Sequence, residues 1–353
     1  MKKFGLLLAV VACCLPLAGC GNTTTTKEVA VFGPKADHGW TGAVLTYITE
    51  KAASLNKAQT KYKYVIYSHA DAEAQSNAVD DVLARKDNIA GIVIQPSSND
   101  SASTITKIAN SGIPFVQFDR IISNDTIDKA SNVVSNVTGD NYSTGVASAK
   151  RFIAKGLTKT EKILCMPGDN SSVPGTRTKG FTDTLKSNGW TDAQITSQMT
   201  STDYTGWSRD TSVTLFENFV SSTTDLSDYK WIYTHDSEIT MGVLQALTGS
   251  NITDANKNTI KTNVKGLVGC GGLEEVYQVI RGDHPRSAAF TAALPNCDIV
   301  DATYDPAMMA TAMQDMEDHL EGKSVTKDHV IASEIVTKDN IGSKVGFGGK
   351  VTA

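Results

Sequence analysis

The chain has 353 residues, more than one hydrophobic core usually supports, so two domains of roughly 150 residues each are expected. Hydrophobic residues at 40% and charged residues at 20% exclude a disordered chain, a coiled coil or a collagen-like repeat. The formal charge of −5 and the absence of a basic cluster exclude a nucleic-acid partner, and no apolar run reaches the ~18 residues that span a bilayer.

Residues 1–20 read as an export leader: Lys2 and Lys3 precede an uncharged apolar core, Leu6 to Leu17. Leu17-Ala18-Gly19-Cys20 closes it and resembles the lipobox of bacterial lipoproteins. That resemblance implies that Cys20 is acylated and becomes the new N-terminus. Residues 21–27 form a polar tether, so lipid would hold the protein at the outer face of a cell membrane. Three cysteines then remain, Cys165, Cys270 and Cys297, with no CxxC spacing. Buried thiols are the favoured reading, with a Cys270–Cys297 bridge open.

From Val29 onward, short apolar runs alternate with helical patterns. Strands are expected at Val29–Phe32, Tyr64–Tyr67, Gly91–Ile94, Pro114–Phe118 and Val133–Val134. Helices are expected at Gly42–Leu55, Ala72–Arg85 and Ser101–Ser111, with Asp71 and Ser101 as N-caps. The period restarts at Asp140, with a helix to Lys155, a strand at Lys162–Met166, a helix at Gly175–Asn188 and a strand at Ile195–Met199. A helix at Trp207–Val220, a strand at Trp231–Thr234, a helix at Glu238–Thr248 and a strand at Val264–Gly269 complete it. This βαβ punctuation predicts an α/β protein with two doubly wound parallel-sheet lobes.

Open parallel sheets bind ligands beyond the carboxyl ends of their strands. The residues just after the strands are His38 and Trp40, then Gln95, Asp119-Arg120, the loop Gly168 to Arg177, Tyr204 with Trp207, Asp236, Gly269 to Gly272, and Tyr304. Aromatic rings stack on the C–H faces of a sugar, carboxylates accept from its hydroxyls, and guanidinium groups donate to neighbouring oxygens. The mixture points to a sugar or polyol.

Phe118-Asp119-Arg120, Gly139-Asp140-Asn141, Arg177-Thr178-Lys179-Gly180-Phe181 and His235-Asp236-Ser237-Glu238 with Met241-Gly242 occur in an order and spacing that resemble one family. It is the type I periplasmic sugar-binding proteins of ABC importers, the ribose- and galactofuranose-binding group. The resemblance covers nearly the whole chain after Lys27. It implies lobes of residues 28–138 plus 305–332 and 139–304 plus 333–353, crossing near Thr138, Tyr304 and Ser333 and closing on the ligand by hinge motion.

It also implies that Trp40 stacks on the sugar, oriented by His38, while Asp119 and Arg120 bind hydroxyls from the first lobe. Arg177 and Asp236 would reach in from the second, with Tyr204 as its stacking ring and Trp207 the alternative for that place. Gln95, Asp140, Asn141 and Tyr304 would complete the site. The family's aspartate is missing where Gly271 stands, and Tyr304 replaces a common glutamine.

The expected role is a lipoprotein that captures a sugar and hands it to an ABC permease, as a monomer and without cofactor or metal. A sensor subunit of the same fold, signalling to a receptor or kinase, is the alternative. Enzyme signatures fail: there is no GxSxG or HExxH, and Glu317 and Glu274 replace glycines needed by a P-loop and a dinucleotide fingerprint. Asp254 to Lys265 lacks the turn glycine and closing acid of a calcium loop. A glycosidase pair of Asp119 and Asp236 is disfavoured, because Arg120 and Arg177 would keep both acids ionised.

Overall fold

A computed structural model describes residues 26–36, 39–342 and 344–352. The leader, Cys20 and His38 lie outside the described residues.

Strands β1 (Lys27–Pro34), β2 (Tyr62–His69), β3 (Ile89–Ile94), β4 (Phe115–Phe118) and β5 (Val133–Gly139) come first. They are followed by β6 (Lys162–Met166), β7 (Met199–Ser201), β8 (Tyr229–Thr234), β9 (Gly266–Gly271) and β10 (Asp298–Thr303). β11 (Asp328–Ile331) and β12 (Ile335–Val336) close the series. Among the described residues they make two six-stranded sheets, ordered β11-β5-β4-β3-β1-β2 and β12-β10-β9-β8-β6-β7. Every pairing is parallel except β10 with β12. The strands' middles are buried apolar runs, such as Val29 to Phe32 and Leu267 to Val268, as sheets covered on both faces require. The chain passes between sheets after β5, between β10 and β11, and between β11 and β12.

Helices flank both sheets. Asp71 caps helix Ala72–Leu83 by accepting from the Ala74 N–H, as expected. Ser101 stands at the start of helix Ala102–Ser111 but makes no side-chain cap bond; a short turn, Asn99–Ser101, precedes it and Ser98 caps that turn. The segment expected as a strand from Ile195 is instead helix Asp192–Gln198, with only Met199–Ser201 extended. The physical reason is a capping box: Thr191 accepts from the Gln194 N–H and the Gln194 side chain accepts from the Thr191 N–H. Helix Met308–Leu320 returns to the first sheet, and Met316 fills the space above Gly91, where a Cβ would lie 2.3 Å from its sulfur.

Helices Asn141–Ala154 and Ser172–Ser187 approach at backbone distance. A Cβ on Gly145 would lie 1.9 Å from the Arg177 carbonyl oxygen, and one on Gly180 would lie 2.1 Å from that of Tyr142. The glycine of the Arg177–Phe181 segment therefore sets how closely the Arg177 helix packs.

Cys165, Cys270 and Cys297 are free thiols, the first two buried, so the Cys270–Cys297 bridge does not form. No described helix is long and apolar enough to cross a membrane.

Candidate functional site

The carboxyl ends of both sheets face one small cavity between them. The first sheet and its leading helix contribute Trp40, Thr41, Asp119 and Arg120. The second lobe contributes Val173, Arg177, Trp207, Asp236 and Gly271, and Tyr304 lies at the second crossing.

Asp119 directly follows β4 and is 5% exposed. Its backbone sits at φ 64, the left-handed region, which is uncommon outside glycine and tolerated best by Asn and Asp. Such strain concentrates where a side chain must be aimed. Its carboxylate accepts from Gln95 Nε2 at 2.6 Å and from the Tyr304 hydroxyl at 2.7 Å. Burial and the adjacent Asp119 push the Tyr304 phenol well above its ordinary range, so it stays a donor. Gln95 is itself fixed from behind, because its carbonyl accepts from Gln75 Nε2 at 2.7 Å.

Arg120 binds across the cleft. Its guanidinium donates to the Ser97 carbonyl in its own lobe and pairs with Asp169 of the other lobe at 3.1 Å. Beside it, Asn99 Nδ2 donates to the Asn170 carbonyl at 2.8 Å. These two contacts join the lobes over the cavity.

Arg177 is 2% exposed. Its Nε donates to Asn141 Oδ1 at 2.9 Å, and its terminal nitrogen donates to the His235 carbonyl. Its guanidinium carbon lies 4.5 Å from the Tyr304 ring centre and 6.0 Å from that of Trp207. His235 is fully buried with its pKa lowered to about 3 by burial and by Arg177, so it adds no charge beneath the cavity. Asp236 caps helix Ser237–Thr248 by accepting from the Glu238 N–H at 2.7 Å while lining the cavity, so capping and lining coincide in one residue.

Trp40 and Tyr304 form an aromatic corner, with ring centres 5.7 Å apart and Trp40 Nε1 donating to the Tyr304 carbonyl at 2.9 Å. Trp40→Phe keeps an aromatic face and removes that bond to the crossing. Ligand affinity is expected to fall about three- to tenfold, the worth of one buried neutral hydrogen bond, in an equilibrium titration.

Some expected contacts lie elsewhere. Tyr204 is 57% exposed and does not line the cavity. The loop turns over Thr205, whose hydroxyl donates to the Pro167 carbonyl, and Trp207, at φ 62, swings inward against Gly168. Trp207 Nε1 is buried and has no hydrogen-bond partner. Asp140 caps helix Asn141–Ala154 by accepting from the Ser143 N–H. Asn141 sits behind the wall, between Arg177 and the Tyr304 hydroxyl at 3.2 Å. Gln95 and Asn141 thus position lining residues, Asp140 caps a helix, and none of the three lines the cavity itself.

Asp301 was not foreseen. It lies on β10, fully buried, accepting from the Gly272 N–H at 2.7 Å and from the Ser237 hydroxyl at 3.1 Å. Burial pushes its carboxyl up to about 7. An unfolded aspartate titrates near ~3.9, so the folded chain holds this proton more tightly. The stability it contributes is fully present below about pH 4 and is lost as pH rises toward 7. Asp301→Asn, neutral throughout, is expected to flatten the fall of Tm over that window in calorimetric scans; parallel curves for both chains would contradict this.

Among the described residues, no group of three or more His, Cys, Asp or Glu side chains is placed to hold a metal ion.

Residues 29–324 match the family model for the periplasmic binding protein domain. The chain is 24% identical over 308 residues to a D-apiose import binding protein of Paraburkholderia graminis, covering 84% of this chain and 89% of that one. The fold is similar to an ABC transporter solute-binding protein from Mycobacterium smegmatis solved with bound glycerol. That likeness has a TM-score of 0.71 at 20% identity, over 93% of this chain and 100% of the other. It is also similar to a fructose-binding periplasmic domain of a hybrid two-component system, with a TM-score of 0.67 at 17% identity, over 90% and 92% of the two chains.

Proposed function

The chain belongs to the periplasmic binding protein domain family, and from that premise we propose that it captures a neutral sugar or polyol between its lobes and delivers it to an ABC import permease. The lobes are residues 28–138 plus 305–332 and 139–304 plus 333–353. The observation that carries this reading is the cavity itself, where Asp119 and Asp236 accept, Arg120 and Arg177 donate, and Trp40, Trp207 and Tyr304 supply rings. Two acids and two guanidinium groups balance in charge, which suits a ligand with many hydroxyls and no net charge. The D-apiose importer relative supports the import role.

Binding needs no bond to break. Hydroxyls exchange water for charged partners worth ~1.5–3 kcal/mol each, and a few of these reach the ~8 kcal/mol of micromolar affinity. The Arg120–Asp169 pair joins the lobes directly over the cavity, so closure and capture are coupled. The ligand is held and released unchanged. Acylation of Cys20 would anchor the protein, as a monomer, on the outer face of the membrane.

Deleting the gene tests the role. The deletion strain is expected to lose uptake of the radiolabelled sugar that the purified chain binds. Likeness to a two-component sensor domain favours the second reading, a ligand-dependent signalling subunit. Under it, uptake would persist and the transcriptional response to the sugar would vanish.

A further inference from the structure

We propose that the preferred sugar carries an apolar edge, with hydrogen or methyl where common hexoses carry a hydroxyl or hydroxymethyl group, and that this edge faces Gly271 and Val173. The proposal rests on the sugar-binding reading above and names the class of sugar within it.

Gly271 ends β9 at φ 150, where side chains are strained. A Cβ there would lie 2.7 Å from the Ser237 hydroxyl oxygen. The position therefore admits no side chain, and this part of the wall is bare backbone. The adjoining polar groups are already engaged. The Gly271 carbonyl accepts from the Tyr304 N–H at 3.2 Å, and the Gly272 N–H donates to Asp301. The Asp301 carboxylate stands one layer behind, fully buried, and does not line the cavity.

Val173, the second residue of helix Ser172–Ser187, lines the same small cavity and is 4% exposed. Apart from Arg177, Asp236 and the unpartnered indole N–H of Trp207, the second lobe presents backbone and a branched alkyl group. A hydroxyl pressed against Gly271 and Val173 would leave water without gaining a partner, which is unfavourable. A hydrogen or methyl there loses nothing. Apolar walls of this kind discriminate by roughly 10- to 100-fold.

The test is calorimetric titration of the full chain with sugar pairs differing at one such group: D-xylose with D-glucose, L-arabinose with D-galactose, and D-fucose with D-galactose. In the pair holding the best ligand, the member lacking the hydroxyl is expected to bind roughly 10- to 100-fold more tightly. Equal or tighter binding of the hydroxylated member in every binding pair would overturn the proposal and leave the sugar-binding reading standing. No binding by any of these paired sugars would overturn the proposal, and silence across a broader panel of polyols and ketoses as well would overturn the sugar-binding reading too. Val173→Thr places a hydroxyl on the wall at similar size and is expected to narrow the ratio several-fold. An unchanged ratio in a folded Val173→Thr chain would also overturn the proposal.

Discussion

Arg177→Ala is expected to lower ligand affinity by roughly 100- to 1,000-fold, measured by calorimetry against the sugar the native chain binds. The guanidinium is the second lobe's buried donor at the cavity. Losing about two charged hydrogen bonds to ligand oxygens costs ~3–4 kcal/mol, which sets that range. The substitution also removes the partners of Asn141 Oδ1 and of the His235 carbonyl. A stability loss of about 1–3 kcal/mol should accompany it, visible as a lower urea midpoint with a native circular dichroism spectrum. Arg177→Lys keeps the charge and loses the planar fork, so its affinity should fall between the two. Native affinity in Arg177→Ala would place the ligand elsewhere.

Asp119→Asn should have the next largest effect, about a hundredfold loss of affinity, with a lower Tm because one buried donor loses its acceptor. Asn tolerates φ 64 as well as Asp does, so the backbone can stay as it is. The chemistry cannot. The Asp119 carboxylate accepts from both Gln95 and Tyr304, and an amide would turn an NH2 toward one of these donors. It also loses the charge that strengthens each bond from a sugar hydroxyl. A small loss of affinity would mean that Asp119 braces the crossing at Tyr304 without touching ligand. Tyr304→Phe separates these cases, since it frees one carboxylate oxygen and keeps the ring.

Much of this arrangement was legible in the sequence because strand ends in parallel sheets are fixed by topology. Once β4 ends at Phe118, Asp119 and Arg120 must lie at the switch edge, and Asp236 must follow β8. What local pattern could not carry is which side chain of a loop turns inward. Tyr204 and Trp207 are three residues apart in one turn, and only the left-handed backbone at Trp207 and the open face of Gly168 decide between them.

The roles of Asn141 and Tyr304 depend on contacts over 163 and 185 residues of chain, beyond any periodicity. Asp301 sits inside β10, a strand that is not among the elements expected from the sequence. Its meaning comes from Gly271 on the neighbouring strand, with which β10 pairs. The Ile195 segment is too short for its pattern to decide: its apolar residues Ile195 and Met199 stand four apart, a helical spacing, and the Thr191 and Gln194 caps make it a helix.

The central claim is that a sugar binds between the lobes, on Arg177. The most direct measurement is a thermal-shift screen of the native chain beside Arg177→Ala, across pentoses, hexoses, deoxysugars, ketoses and polyols. A ligand at a hundred times its dissociation constant adds about 2.7 kcal/mol to the native state, a readily visible rise in Tm. The account predicts such a rise for at least one sugar in the native chain and none in Arg177→Ala. Silence across the panel, or an equal rise in both chains, would contradict it.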